Sequence, residues 1–363
     1  MWKPSAFAFL FRLVSCQVIS NPKPEAFTDF TNYIFWYPEV DAVQWHTLYA
    51  RSLQLPDESL LITWENYPKE PPLVNHPIYK SVDGGSTWTN FSAVKDEENG
   101  WGMRFQPELF TLPVDFGGYA AGSILAAGVS SPVTLEGGVY IDLYVSEDEA
   151  ATWTFVSHIA YGAGPETITN GNAALWEPWL MLYDGRIVCF FSDQRDPLHS
   201  QKLVHVTTTD LQHWSNPVPD VAYSTQTDRP GMTTVAHIES TDFYIMTYEY
   251  CGQGNCDVYY KVASSPLEFN SAEGIPLASN GTKPITPHNT PYVIWTPHPD
   301  RTDGSGLIIV SALSHEVVFV NEDSADPGGW KTVDVGMWSA YSRSNMGNPE
   351  DNSVACGVVE IPT

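Results

Sequence analysis

Ser81-Val82-Asp83-Gly84-Gly85-Ser86-Thr87-Trp88 is a turn whose residue types explain one another. A Ser hydroxyl and an Asp carboxylate two residues on can both accept backbone N–H bonds within one tight turn. Gly supplies the positive φ the turn needs. The Trp ring then packs back under neighbouring strands, so that the turn acts as a staple between two strands of a sheet. The pattern returns as Ser146-Glu147-Asp148-Glu149-Ala150-Ala151-Thr152-Trp153 and, shortened, as Thr208-Thr209-Asp210-Leu211-Gln212-His213-Trp214. Weaker echoes run from Ser264 to Phe269 and from Asn321 to Trp330. The anchors Trp88, Trp153, Trp214, Phe269 and Trp330 are 65, 61, 55 and 61 residues apart. Repetition at that period is a property of architecture.

Between the staples lies a second repeat of strand, turn and strand. It begins at Arg51, Arg104, Trp176, Arg229 and Pro291, and a sixth opens at Tyr341-Ser342-Arg343-Ser344, echoing Tyr49-Ala50-Arg51-Ser52. Asp184-Gly185 is a hairpin signal inside the third. Each of the first five hairpins is followed by a further strand and a staple; residues 32–40 can supply the outer strand of the sixth. The expected fold is all-β: a six-bladed β-propeller with Asp-box turns. A sandwich would leave the ~60-residue period unexplained.

The 363 residues show no linker, charge block or low-complexity tract, so residues 21–363 read as a single propeller domain. Aromatics are abundant, with 13 Trp, 18 Tyr and 16 Phe, and clusters of them with β-branched residues are punctuated by Gly, Pro, Asn and Asp. A formal charge of −26 argues against nucleic acid or an anionic membrane as partner and suits a neutral or cationic substrate. Residues 1–20, with Lys3 ahead of the apolar run Ala6–Phe11 and small residues near Ser20, resemble a signal peptide, which implies secretion. The sequons at Asn90 and Asn280 matter only in that setting. Cys189 lies in an apolar strand and reads as an inert core thiol. Cys251 and Cys256 flank a turn that can bring them into bonding range; their spacing does not look like a zinc site without further Cys or His. No metal or cofactor is expected.

In a propeller the innermost strands line a central funnel, so the hairpin starts converge there. Arg51, Arg104, Glu177, Arg229 and Arg343 hold those positions, and Glu249 ends a strand one blade on from Glu177. Glu177 sits in Leu175-Trp176-Glu177-Pro178-Trp179 and Glu249 in Thr247-Tyr248-Glu249-Tyr250. Burying a carboxylate among aromatics is costly unless it is paired. Two readings follow: buried ion pairs with Arg, or a catalytic pair in which one carboxyl is shielded and the other kept ionised.

Leu175-Trp176-Glu177-Pro178-Trp179-Leu180, Phe191-Ser192-Asp193-Gln194-Arg195-Asp196-Pro197 and Gln201-Lys202-Leu203-Val204-His205 resemble family 93 of the glycoside hydrolases, the exo-1,5-α-L-arabinanases. Thr227–Met232, Met246–Tyr250, Trp64–Tyr67, Pro291–Pro297 and Tyr341–Ser344 extend the resemblance over about residues 33–344. It implies a secreted, monomeric propeller that releases arabinobiose from linear α-1,5-arabinan, a side chain of pectin, with retention. It maps the catalytic pair onto Glu177 as nucleophile and Glu249 as acid/base, with Tyr341 tuning the nucleophile. Arg51, Asp193, Arg229 and Arg343 are implied to orient sugar hydroxyls and set carboxylate charge, and Trp176 and Tyr292 to be sugar platforms. His205 and His237 lie within strand patterns and read as structural. Two departures stand out: the apolar pattern fades after Ser344, and Glu108 is charged where an apolar residue is expected. The rival readings are an exo-sialidase, for which a Phe/Tyr-Arg-Ile-Pro motif is missing, and a non-catalytic carbohydrate-binding propeller.

Overall fold

Every full repeat folds as an antiparallel four-stranded meander in the computed structural model, which describes residues 47–165, 172–252, 254–322, 324–336, 339–347 and 354–357. Blade one is β1 (Thr47–Gln54), β2 (Leu60–Asn66), β3 (His76–Ser81) and β4 (Thr89–Val94). Blade two is β5 (Met103–Thr111), β6 (Ile124–Ser130), β7 (Val139–Ser146) and β8 (Thr154–Gly162). Blade three is β9 (Leu175–Tyr183), β10 (Arg186–Asp193), β11 (Lys202–Thr208) and β12 (Val218–Val221). Blade four is β13 (Arg229–Ile238), β14 (Phe243–Cys251), β15 (Asp257–Ala263) and β16 (Ile275–Pro276). Blade five is β17 (Tyr292–Pro297), β18 (Gly306–Ser311), β19 (Val318–Glu322) and β20 (Lys331–Val333). A hairpin of β21 (Ser344–Gly347) and β22 (Val354–Gly357) follows.

The molecule is an all-β propeller, but the expectation of six four-stranded blades needs correction. The described residues form five such blades and one two-stranded hairpin. In the sequence the apolar pattern fades after Ser344 into a run rich in Asn, Gly, Pro and Asp, residue types depleted in strands. Residues 32–40, expected as an outer strand, and the expected signal peptide lie outside the described residues. The first strands meet in cyclic order, β1 with β5, β5 with β9, β9 with β13, β13 with β17, β17 with β21, and β21 with β1.

The core consists of seams between blades. Side chains alternate faces along a strand, and β10 shows the consequence. Ile187, Cys189 and Phe191 join the seam with blade two, while Val188 and Phe190 join the seam with blade four. In β6, Ile124 and Ala126 face blade one, while Leu125, Ala127 and Val129 face blade three. Both strands are buried on both faces, which is why they read as continuous apolar runs. Cys189 is a buried free thiol, as expected.

The staples tie consecutive blades as well as strands. Ser81 Oγ accepts from Gly85 N–H (2.9 Å), and Asp83 accepts from the Thr87 N–H (2.8 Å) and hydroxyl (2.6 Å). Ser146, Asp148 and Thr152 repeat this geometry. Trp153 Nε1–H then donates to Ser92 Oγ on blade one (3.1 Å), and Trp214 Nε1–H to Ser157 Oγ on blade two (3.1 Å). Ser92 and Ser157 in turn donate to the carbonyls of Ala150 and Leu211 (2.5 and 2.6 Å). Each latch thus runs both ways across a blade boundary.

Candidate active site

Non-glycine residues near the start of each first strand are left-handed, two in a row ahead of β17, where Asn289 (φ 59°) precedes Thr290. Tyr49, Gln106, Glu177, Met232, Thr290 and Ser342 have φ of 57°, 44°, 66°, 55°, 46° and 53°. In the first four blades a register irregularity marks the spot, between Leu48 and Arg51, Phe105 and Glu108, Phe190 and Ser192 on the partner of β9, and Gly231 and Thr234. A bulge of this kind frees an N–H from the ladder and re-aims it. The freed donors meet acceptors of the preceding blade. Gln106 N–H bonds Glu65 Oε1 (2.8 Å), Met232 N–H bonds Glu177 Oε2 (2.6 Å), Thr290 N–H bonds Glu249 Oε2 (2.9 Å), and Ser342 N–H bonds Thr290 Oγ1 (3.0 Å).

Glu177 and Glu249 come together at Gly231. A methyl group built on that glycine would lie 3.5 Å from Glu249 Oε1 and 3.7 Å from Glu177 Oε2. Those two distances end to end cap the gap between the oxygens. The cap admits the ~5–5.5 Å of a retaining pair and excludes most of the ~6.5–9.5 Å range of an inverting pair. The same point is 2.8 Å from Gln201 Nε2, so any side chain at 231 would displace Gln201.

The two carboxyls differ in environment. Glu177 is buried and accepts from both Ser192 Oγ–H (2.6 Å) and Met232 N–H. Burial raises its pKa, while these donors and the positive charges of Arg229 and Arg51 oppose the rise. Glu249 has one backbone donor, and burial followed by the charge of Glu177 pushes it up to about 7. Arg229 acts on both from one side, its Nη2–H held by Gln201 Oε1 (2.9 Å), while Gln201 Nε2–H donates to Pro230 O (2.9 Å).

Several residues expected to touch sugar or to line the funnel make contacts inside the protein. Arg51 is 3% exposed; its Nε–H pairs with Glu108 (3.2 Å), its Nη1–H bonds Ala50 O and Ser342 Oγ, and it stacks over Tyr49 and Tyr292. This pairing also explains the unexpected charge at Glu108. Arg343 is 1% exposed and donates to the carbonyls of Ala312, His315, Glu316 and Val317. Arg104 holds Glu70 and the Ser131 carbonyl. Both oxygens of Asp193 are bound by Arg195. Tyr292 is buried edge-on against Trp179. Trp176 is half-buried beside Phe105, and its Nε1 has no partner among the described residues; nor do the buried Gln106 Oε1 and Gln194 Oε1. Tyr341 directs its hydroxyl to Met232 Sδ (3.6 Å), on the residue that holds Glu177. His205 and His237 pair with Asp220 and Asp242.

Glu65 and Gln201 were not singled out from sequence. Glu65 is buried, accepts from Tyr67 Oη–H (2.5 Å) and Gln106 N–H, and is pushed up to about 7 by burial. It ends β2 as Glu249 nears the end of β14, so aligning the repeats finds it. Gln201 carries no such signal, because its role arises only where β11 approaches β13.

No protein-family model and no curated protein matches the sequence. Solved structures do. The α-L-arabinofuranosidase Arb93A of Fusarium graminearum, in complex with an iminosugar inhibitor, is 41% identical with a TM-score of 0.84, over 89% of this chain and 90% of that one. The same identity, score and coverage hold for the GH93 α-L-arabinofuranosidase of that fungus with arabinobiose. An α-L-arabinanase of Penicillium chrysogenum complexed with arabinobiose is 39% identical with a TM-score of 0.84, over 89% and 91% of the two chains. A likeness to the NanB sialidase of Streptococcus pneumoniae, 8% identical with a TM-score of 0.52 over 89% and 66%, shows the fold alone. With 41% identity spanning nearly nine-tenths of its length, the chain belongs to glycoside hydrolase family 93.

Proposed function

We propose that this protein is a retaining, exo-acting glycoside hydrolase that releases arabinobiose from linear α-1,5-L-arabinan. The observation that carries the reading is the convergence of two unlike carboxyls on Gly231. Glu177, with two donors and the positive charges of both Arg229 and Arg51 acting on it, is the nucleophile. Its carboxylate bonds the anomeric carbon as the glycosidic C–O bond breaks and Glu249 gives its proton to the leaving oxygen. Water then attacks the glycosyl-enzyme, losing a proton to Glu249 and releasing Glu177. Support for arabinan comes from the relatives, two of which were determined with arabinobiose.

The wider reading is a secreted monomer with a propeller of six blades, the hairpin β21–β22 forming the inner half of the sixth. The six left-handed positions and the cyclic contacts of the first strands support that count. Incubation with linear arabinan, arabino-oligosaccharides and a sialyl substrate tests the activity. Arabinobiose release that vanishes in Glu177→Ala and Glu249→Ala is expected. Sialic acid release, or binding without turnover, would overturn it.

A further inference from the structure

The Cys251–Cys256 disulfide stands against Glu249. Glu249 and Cys251 are two apart on β14 and so share a face, and Cys251 Sγ lies 3.5 Å from Glu249 Oε1. The Glu249 carboxylate and both sulfurs lie within 4.8 Å of one another. Among the described residues no other group of His, Cys, Asp and Glu is gathered so tightly. A tetrahedral ion with ~2.3 Å bonds to sulfur and ~2.0–2.2 Å bonds to oxygen needs its ligands under ~4 Å apart. Cys251 and Cys256 are separated by four residues, within the usual C-x2–4-C spacing of zinc ligands. Sequence alone offered no third ligand; the fold brings one in as a carboxylate.

The sulfurs do not depend on their own bond to stay close. Tyr250 and Asp257, which adjoin the two cysteines, are paired across the β14–β15 ladder. Cys256 O accepts from Asn289 N–H (2.9 Å), and Gly252 packs on the Thr227 backbone so closely that a Cβ would approach its carbonyl to 2.6 Å. Both cysteines are only partly buried, within reach of a small reductant.

We propose that, once this disulfide is reduced, Cys251, Cys256 and Glu249 form a three-ligand site for a thiophilic divalent cation such as Zn²⁺ or Cd²⁺, which blocks the enzyme by occupying Glu249. A dithiol reductant supplies two electrons and two protons, breaking the S–S bond to two thiols and becoming a disulfide itself. The cation then displaces both thiol protons and takes two thiolates and one carboxylate oxygen, leaving the fourth position to water. The oxidised protein has no thiolate to offer and does not bind. The metal site rests on geometry alone; its inhibitory effect rests on Glu249 being the acid/base.

The full chain is reduced with a dithiol, desalted without oxygen and titrated with Cd²⁺. Thiolate-to-cadmium absorption in the ultraviolet reports binding, and arabinobiose release reports turnover. Absorption saturating at one ion per chain is expected, with turnover lost in step and restored by a chelator. The Cys251→Ser/Cys256→Ser double variant, equally treated, shows no absorption and keeps hydrolysing arabinan when Cd²⁺ is added. Glu249→Gln retains the absorption but binds at least about tenfold more weakly. Absorption needs no turnover, so the site is judged apart from the hydrolase reading. No absorption in the reduced protein, equal binding by the oxidised protein, or equal inhibition of the double variant overturns the proposal.

Discussion

The two ends of each blade treat a carboxyl in opposite ways. At the funnel, Glu65, Glu108 and Glu249 are pushed up to about 7, 8 and 7, because burial is the largest influence on each. At the staples, Asp83, Asp148 and Asp210 are all lowered, because each lies near the surface and collects donors from its own turn. The staple satisfies its charge with groups a few residues away. The funnel glutamates also draw on donors from a neighbouring blade and on arginines brought from elsewhere. The lesson is that carboxyls which stabilise the fold are held ionised locally, whereas those fit for proton transfer are left short of donors.

The sharpest way to break this comparison is to neutralise each kind. Glu177→Gln and Glu249→Gln are expected to cut kcat by about 10⁴-fold and about 10²–10⁴-fold, with unfolding midpoints nearly unchanged. In the wild type kcat/KM falls above about pH 7, where Glu249 loses its proton, and falls at low pH as Glu177 gains one. A large loss of stability with little loss of rate would reverse the assignment of the two ends.

Gln201→Leu tests the tertiary support of the site. Without Oε1 of Gln201, Arg229 loses one of the acceptors that set its position beside both glutamates. A drop of about 10–100-fold in kcat/KM is expected, with the basic limb of the pH–rate profile displaced and Gln201→Glu recovering part of the loss. An unshifted profile would mean that Gln201 only packs.

Stability should divide by pH in the same way. The funnel carboxyls, raised from 4.5, stabilise the fold fully below that value, and this contribution is lost as pH climbs through about 7–8. The staple aspartates, lowered from 3.8, stabilise above it and lose that contribution as pH falls through their folded values. Thermal unfolding followed across pH should therefore give a maximum near pH 4–5, dropping by several degrees toward pH 8; a maximum at alkaline pH would contradict the burial of Glu65 and Glu108.

The smaller effects lie within the staples. Asp83→Ala removes the acceptor for Thr87 and for Ser81 Oγ–H, for an expected loss of about 1 kcal/mol in denaturant unfolding and no change in kcat. Smaller still, and opposite in sign, is Glu149→Gly. Glu149 and Ala150 take left-handed φ of 57° and 71° where the first staple uses Gly84 and Gly85. Glycine at 149 relieves that strain, for a gain of about 0.5–1 kcal/mol against the loss of an exposed contact to Lys80.

Sequence by itself determined the turns, the period and the alternation of faces, because the forces behind them act within a few residues. Ser81, Asp83 and Thr87 bond one another whatever surrounds them, and the two-residue alternation in β6 and β10 follows from strand geometry. The pair Glu177 and Glu249 was legible as well, since buried carboxyls among aromatics need a reason. Tertiary structure alone decided which cations serve them. A guanidinium can close on any acceptor in reach, so Arg51 went to Glu108 of the next blade, Arg343 to the carbonyls of residues 312–317, and Arg229 stayed beside the carboxyls. It also decided the third carboxyl at Glu65, the prop at Gln201 and the disulfide standing against Glu249, because each exists only where segments distant in sequence, or folded back on themselves, meet in space.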